Sequence, residues 1–266
     1  MKSILKTALA AVTAIGVTFG MSAPASAETE MDEILQRGEL RVGVQTQGAP
    51  VSFINKDGER TGLAIEIVKM MADDLGVKLV LQDYDWKGLI PALLASKFDF
   101  IAADMTPTPQ RTAQLLFSRP FFYQDTVAMT AKDSGRTTWE DLNKEGLNVG
   151  GVQGGTYVTA IKEFLPNATV KEFASGPAAA QALAAGRVDG ALTDLGNAQT
   201  YVGGYDNLMI LDGIITREPL AFATRAENSH LKFWMDNYFE LVSANGKLDR
   251  LVEYWWNSRD WEADHK

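Results

Sequence analysis

The spacing of apolar positions divides the chain into a leader and a long region in which helical and strand periods alternate. Lys2 and Lys6 precede an apolar run over residues 8–19, and small residues follow, ending Ala25-Ser26-Ala27. That order of charge, apolar run and small residues predicts a secretory signal peptide cleaved before Glu28. The run is too short to cross a hydrocarbon core of about 30 Å. Beyond it, residues 31–35 predict a short helix and residues 40–44 a strand, with a turn at Gly48-Ala49-Pro50. From Gly62 onward, Ile65, Val68, Met71, Ala72 and Leu75 keep the i, i+3, i+4 spacing of an amphipathic helix, and a strand is expected over residues 77–81. A helix over 86–96 and a strand over 98–103 follow. Thr106-Pro107-Thr108-Pro109 then forces a loop, because proline lacks the N–H that either regular element needs.

From Asn148 the same order returns: a strand over 148–152, a glycine turn, a helix from Thr156, a strand, and an alanine-rich helix over 177–185 stopped by Gly186. Residues 93–104 align without a gap on residues 183–194, each with an Asp five positions after another: Asp99 and Asp104, Asp189 and Asp194. Helix and strand in alternation predict an α/β fold with largely parallel sheets, and the repeat predicts two similar lobes. Ligands of such sheets sit beyond the carboxyl ends of the strands, so Asp104 and Asp194 would face one cleft. Each could equally cap a helix or form a turn.

Composition narrows the chemistry. The chain has no Cys and only His230 and His265, which leaves no material for a disulfide framework, a Cys/His metal site or a thiol nucleophile. Of 25 basic and 34 acidic residues, two lysines and no acid fall within residues 1–27. The remainder therefore carries 23 against 34, a balance of −11, and is not expected to bind nucleic acid. Without Cys, a lipid anchor on an acylated mature N-terminus is not expected either.

Gly150-Gly151-Val152-Gln153-Gly154-Gly155-Thr156 has Thr where a phosphate loop needs Lys, and no G-x-G-x-x-G spacing, so nucleotide binding is rejected. A strand running through a glycine turn into a helix still leaves free N–H groups that can hold a carboxylate. Arg111 follows a loop at a strand end, where a guanidinium can grip a carboxylate with two parallel hydrogen bonds. Trp86, at a helix start, could offer its ring face to a ligand. No Ser-His pairing and no G-x-S-x-G elbow is present. Tyr254, Trp255, Trp256 and Trp261 continue an amphipathic segment with Leu248, Leu251 and Val252, expected to pack between the lobes or onto the first.

Taken in order, Arg37-Gly38-Glu39-Leu40-Arg41-Val42-Gly43-Val44, Asp57-Gly58, Gly62-Leu63-Ala64-Ile65-Glu66-Ile67, the Thr106 to Arg111 segment, Gly154-Gly155-Thr156, Gly186-Arg187-Val188-Asp189 through Asp194, and Asn245-Gly246-Lys247-Leu248 resemble the family 3 solute-binding proteins, the polar amino-acid-binding components of bacterial ABC importers. The resemblance covers residues 31–257. It implies a two-lobed α/β fold, lobe one being 31–125 plus 221–266 and lobe two 126–220, with crossover strands near 126–131 and 220–225. It further implies a monomer in the periplasm that closes on a small molecule and passes it to membrane permease subunits, with no cofactor, metal or catalytic residue. By position, Arg111 and the N–H groups of Thr106 and Thr156, beside Gly155, would hold the ligand carboxylate. Asp194 would meet the ammonium, with the Ala103 or Asp104 carbonyl and the Thr106 hydroxyl. Trp86 would pack on the ligand side chain and Gln45 would read its polar end. Three positions depart from the pattern: Gly48 replaces an aromatic, Ala64 an acid, and Asp104 a Ser or Gly. The carboxylate of Asp104 beside the expected ligand carboxylate suggests a cationic or otherwise unusual ligand. The same fold family includes a dehydratase of cyclohexadienyl substrates, for which Asp104 would be the general acid.

Overall fold

The computed structural model describes residues 28–45 and 48–265, so the expected leader lies outside the described residues. The first helix, α1 (Glu30–Arg37), starts at a capping box in which Thr29 and Asp32 satisfy each other's backbone N–H groups, and it stops at left-handed Gly38. Strand β1 (Glu39–Val44) leads to a small hairpin, β2 (Phe53–Ile54) and β3 (Arg60–Thr61). Helix α2 (Leu63–Leu75), strand β4 (Lys78–Asp83), helix α3 (Trp86–Leu94) and strand β5 (Phe100–Met105) follow in the expected alternation. The proline segment is a loop only as far as Thr108. Pro109 opens a single helical turn, α4 (Pro109–Thr112), because its fixed φ and missing N–H suit the first turn of a helix.

Strands β6 (Leu115–Phe117) and β7 (Phe122–Ala131) lead to the second block: β8 (Asn148–Val152), α5 (Thr156–Phe164), β9 (Thr169–Phe173), α6 (Gly176–Ala184), β10 (Gly190–Asp194), α7 (Leu195–Gly204) and β11 (Leu208–Ile210). Strand β12 (Thr216–Arg225) and helices α8 (Ser229–Ala244), α9 (Lys247–Val252) and α10 (Trp261–His265) end the chain. Among the described residues no helix is long and apolar enough to cross a membrane.

The sheet corrects the expectation of separate, largely parallel sheets. Strands run β4-β1-β5-β12-β7-β10-β8-β9 in one mixed sheet, with β11 added on β7 and β6 on β12. The outer trios are parallel, joined through helices. The two ten-residue strands between them are antiparallel to each other and to their outer neighbours. Thr216 to Leu220 of β12 pair with Thr126 to Phe122 of β7, after which the two strands diverge, β7 onto β10 and β12 onto β5 and β6.

The buried apolar side chains fall into clusters that respect this divergence. Leu40, Ile65, Phe100, Phe222, Phe239 and Trp255 share one, and Leu93, Phe98, Ile101 and Met105 join Ala221 and Ala223 in another. Val127, Met129, Leu183 and Ala191 form a third, Leu142, Val149, Ile161 and Leu192 a fourth. The aromatic tail packs into the first of these: Trp255 and Trp261 are stacked 6.0 Å apart and Phe53 lies 5.1 Å from Trp261.

The two aligned segments have the same local structure. Asp99 accepts from the Arg41 N–H and Asp189 from the Asn148 N–H, both at 2.8 Å, so each carboxylate pins the start of the neighbouring parallel strand. The turns between helix and strand pass through left-handed residues at equivalent places, Ser96 (φ 54°) and Gly186 (φ 68°).

Candidate functional site

The carboxyl ends of β1, β5, β8 and β10 open onto one cavity, and it is lined by Gln45, Trp86, Asp104, Thr106, Arg111, Gly155 and Thr156 of the expected residues. Ala103 and Asp194 are not in its wall. Ala103 alternates with Asp104 along β5 and turns its methyl into the core beside Leu89 and Ile101. The wall also includes Gly48, Val51, Ser52, Gln124, Val152, Tyr157, Gly176, Thr193, Asn197 and Tyr201. The cavity, of about 60 Å³, has room for a small solute.

Arg111 stands at the centre of this wall. Thr108 caps α4 by accepting from the Arg111 N–H at 3.3 Å, which fixes the turn that carries it. Its guanidinium donates to the Thr106 carbonyl at 2.8 Å and to the Gly154 carbonyl at 3.1 Å, and lies 5.3 Å from the centre of the Trp86 ring. Burial disfavours its charge, while Glu218 and Asp104 favour it. Gly154 takes φ 75° to let the chain turn, and Gly155 begins α5 without a side chain to cap it. The first-turn N–H groups of α5 thus face the cavity with no side-chain cap, as an anion site requires.

The carboxylates of Glu218 and Asp104 act on that guanidinium, and Asp194 acts in turn on Asp104. Asp104 is pushed up to about 7, first by burial and then by the charges of Asp194 and Glu218, with Arg111 opposing. Asp194 is fully buried and both its oxygens are engaged. Oδ1 caps α7 by accepting from the Asn197 N–H at 2.8 Å. Oδ2 accepts from Asn197 Nδ2 at 2.5 Å and from the Tyr157 hydroxyl at 3.2 Å. Burial raises its pKa and these hydrogen bonds oppose the rise. The capping reading of Asp194 is thus met, while its carboxylate lies behind Asn197 and Tyr157, outside the cavity wall. Glu218, 8% exposed on β12, accepts from the Thr106 hydroxyl at 2.6 Å and from Thr216 at 3.2 Å.

Glu218, Gln124, Tyr157 and Asn197 escaped the sequence reading. Tyr157 directly follows Thr156, and Asn197 stands three residues after the capping Asp194, so spacing held a signal for both. For Gln124 and Glu218 there was none, because they meet only through the pairing of β7 with β12. Ser52 Oγ, Gln124 Oε1 and Asn197 Oδ1 are buried in this wall with no hydrogen-bond partner among the described residues. Among the described residues there is no cluster of three His, Cys, Asp or Glu able to hold a metal.

Comparison with known proteins agrees with this architecture. The model of bacterial extracellular solute-binding proteins, family 3, matches residues 40–258. The L-cystine-binding protein TcyJ of Escherichia coli (strain K12) is 27% identical over 255 residues, covering 94% of this chain and 95% of the relative. The crystal structure of the ancestral amino acid-binding protein AncCDT-1, a precursor of cyclohexadienyl dehydratase, superposes with a TM-score of 0.80 at 36% identity, covering 85% of this chain and 99% of that one. An ancestral arginine-binding protein bound to arginine gives a TM-score of 0.76 at 33% identity, covering 83% and 99%.

Proposed function

Since the chain belongs to the bacterial extracellular solute-binding proteins of family 3, we propose that it captures an amino acid or amino-acid-like cationic solute in the periplasm and delivers it, without catalysis, to the membrane subunits of an ABC importer. The observation that carries this reading is Arg111, half-buried beside the carboxylates of Glu218 and Asp104 and reaching from the β5 side of the cavity to Gly154 beyond β8. The crowding of acids about one guanidinium shows in Asp104, whose carboxyl is pushed up to about 7. A solute with extra positive charge relieves that crowding; a neutral zwitterion does not.

In this reading the lobes are residues 31–125 with 221–266 and residues 126–220. The separation of the core clusters and the divergence of β7 from β12 support the division. Closure of one lobe on the other buries the ligand. Arg111 and the N–H groups of Thr106 and Thr156 receive the carboxylate, Asp194 supplies the charge that attracts the ammonium, Trp86 covers the side chain and Gln45 meets its end. The TcyJ relative and the arginine-bound ancestral structure are named for amino-acid binding, which supports the ligand class.

A second reading has one observation in its favour. A carboxyl pushed up to about 7 in a cavity, as Asp104 is, suits a general acid, and AncCDT-1 is described as the precursor of a dehydratase. One experiment separates the two. Thermal unfolding is followed in the presence of amino acids, opines, polyamines and compatible solutes, and the protein is incubated with prephenate and arogenate. Capture predicts a Tm rise of about 5–10 °C at a hundredfold excess over Kd for one cationic α-amino acid, and no aromatic product. Product formation would sink the pure binder.

A further inference from the structure

We propose that Gly48, Ser52 and Asn197 form a cation slot, in which a protonated amine or guanidinium of the ligand donates its N–H groups to Asn197 Oδ1 and Ser52 Oγ while Asp194 acts from behind Asn197. The inference rests on the capture reading and specifies which atoms of the same cavity select the ligand.

Asp194 lies behind the cavity wall in this arrangement. It is fully buried, absent from the cavity wall, and both oxygens already accept hydrogen bonds. Asn197 stands between it and the cavity. Because Asn197 Nδ2 donates to Asp194 at 2.5 Å, the orientation of the amide is fixed and Oδ1 is turned away from the carboxylate. That oxygen is buried, belongs to a residue 7% exposed in the cavity wall, and has no partner among the described residues. A buried acceptor left unpaired costs free energy that a donor on the ligand recovers.

The second acceptor comes from the opposite side. Gly48 and Ser52 exchange two backbone hydrogen bonds, Gly48 N to Ser52 O at 3.1 Å and Ser52 N to Gly48 O at 2.8 Å. Residues so paired project their side chains to one face, so Ser52 Oγ leaves the pair on the side to which a Gly48 side chain would point. A β-carbon on Gly48 would stand 3.7 Å from Asn197 Nδ2 and 3.8 Å from Oδ1. The missing side chain therefore leaves a gap between the Asn197 amide and the Ser52 hydroxyl, itself 3% exposed and without a partner among the described residues. Nearby, Gly196 at the start of α7 packs against Pro50 and Trp256, holding the two sides of the gap together. The negative charge of Asp194, one residue deep, makes the gap more suitable for a cation than for a neutral amide.

Titration calorimetry with L-arginine and with L-citrulline, its uncharged counterpart, tests the slot in the whole protein. Gly48→Val fills the gap and Ser52→Ala removes one acceptor, both leaving the Asn197 to Asp194 hydrogen bonds in place, and circular dichroism checks that each variant folds. Each folded variant should lose at least tenfold in affinity for L-arginine. Loss for arginine alone places the side-chain guanidinium in the slot, and equal loss for both compounds places the α-ammonium there. Binding within twofold of the parent in either folded variant overturns the proposal. A parent that takes up neither compound also overturns it, and the thermal screen then tells whether the capture reading falls too.

Discussion

Asp104 shows at the scale of one residue how a site shapes its own chemistry. Its carboxyl is pushed up to about 7, whereas an unfolded chain would hold it near 3.8. Folding therefore takes up a proton between those values, and stability contributed by this residue falls as pH rises through the window and is lost above it. Asp104→Asn should be more stable than the parent at pH 8, by about 3 °C or more in Tm, with no gain at pH 4. Equal melting points of the two proteins at pH 8 would show that the charge is not strained. Asp104 and Arg111 were legible in the sequence because one stands near the end of a short strand and the other just beyond it, and both break the local apolar pattern. It could not show that Thr106 spends its hydroxyl on Glu218, or that Asp194 is shielded by Asn197 and Tyr157. Those partners are far apart in the chain or, like Asn197, look the same as ordinary capping residues.

Elements were read more fully than their pairing. Helices and strands up to β5 appear where the periodicity places them, since apolar spacing follows burial on one face, except the two-residue strands β2 and β3, which are too short to carry a period. The direction of β7 and β12 was not legible: each directly follows a short strand rather than a crossover helix, and antiparallel pairing leaves no mark on periodicity. One contact between elements deserves a direct test, because it positions the Gly48 to Ser52 turn. The first N–H groups of α2 donate to that turn, Leu63 to the Pro50 carbonyl and Ala64 to the Val51 carbonyl. This close approach needs Gly62, whose φ is 123° and whose added β-carbon would lie 2.5 Å from the Val51 oxygen. Gly62→Ala should cost about 1–3 kcal/mol in urea unfolding, through clash and backbone strain together. A change below a few tenths of a kcal/mol would mean that the turn moves freely and is not held by α2.

Across the whole molecule, the cavity is assembled from both halves of the chain, and Arg111 connects them through Thr106 and Gly154. A ligand carboxylate entering the site competes for that guanidinium with two carbonyls, and a ligand cation offsets the acids beside it, Glu218 and Asp104. Retention of the ligand therefore depends on Arg111 more than on any one side-chain contact. The most direct measurement is titration calorimetry of the protein and of Arg111→Ala with the α-amino acid that gives the largest thermal shift. The parent should bind with micromolar affinity, about −8 kcal/mol, and the variant at least a hundredfold more weakly, since two charge-assisted hydrogen bonds to a buried carboxylate are lost. A folded Arg111→Ala that binds the same amino acid as tightly as the parent would contradict the account.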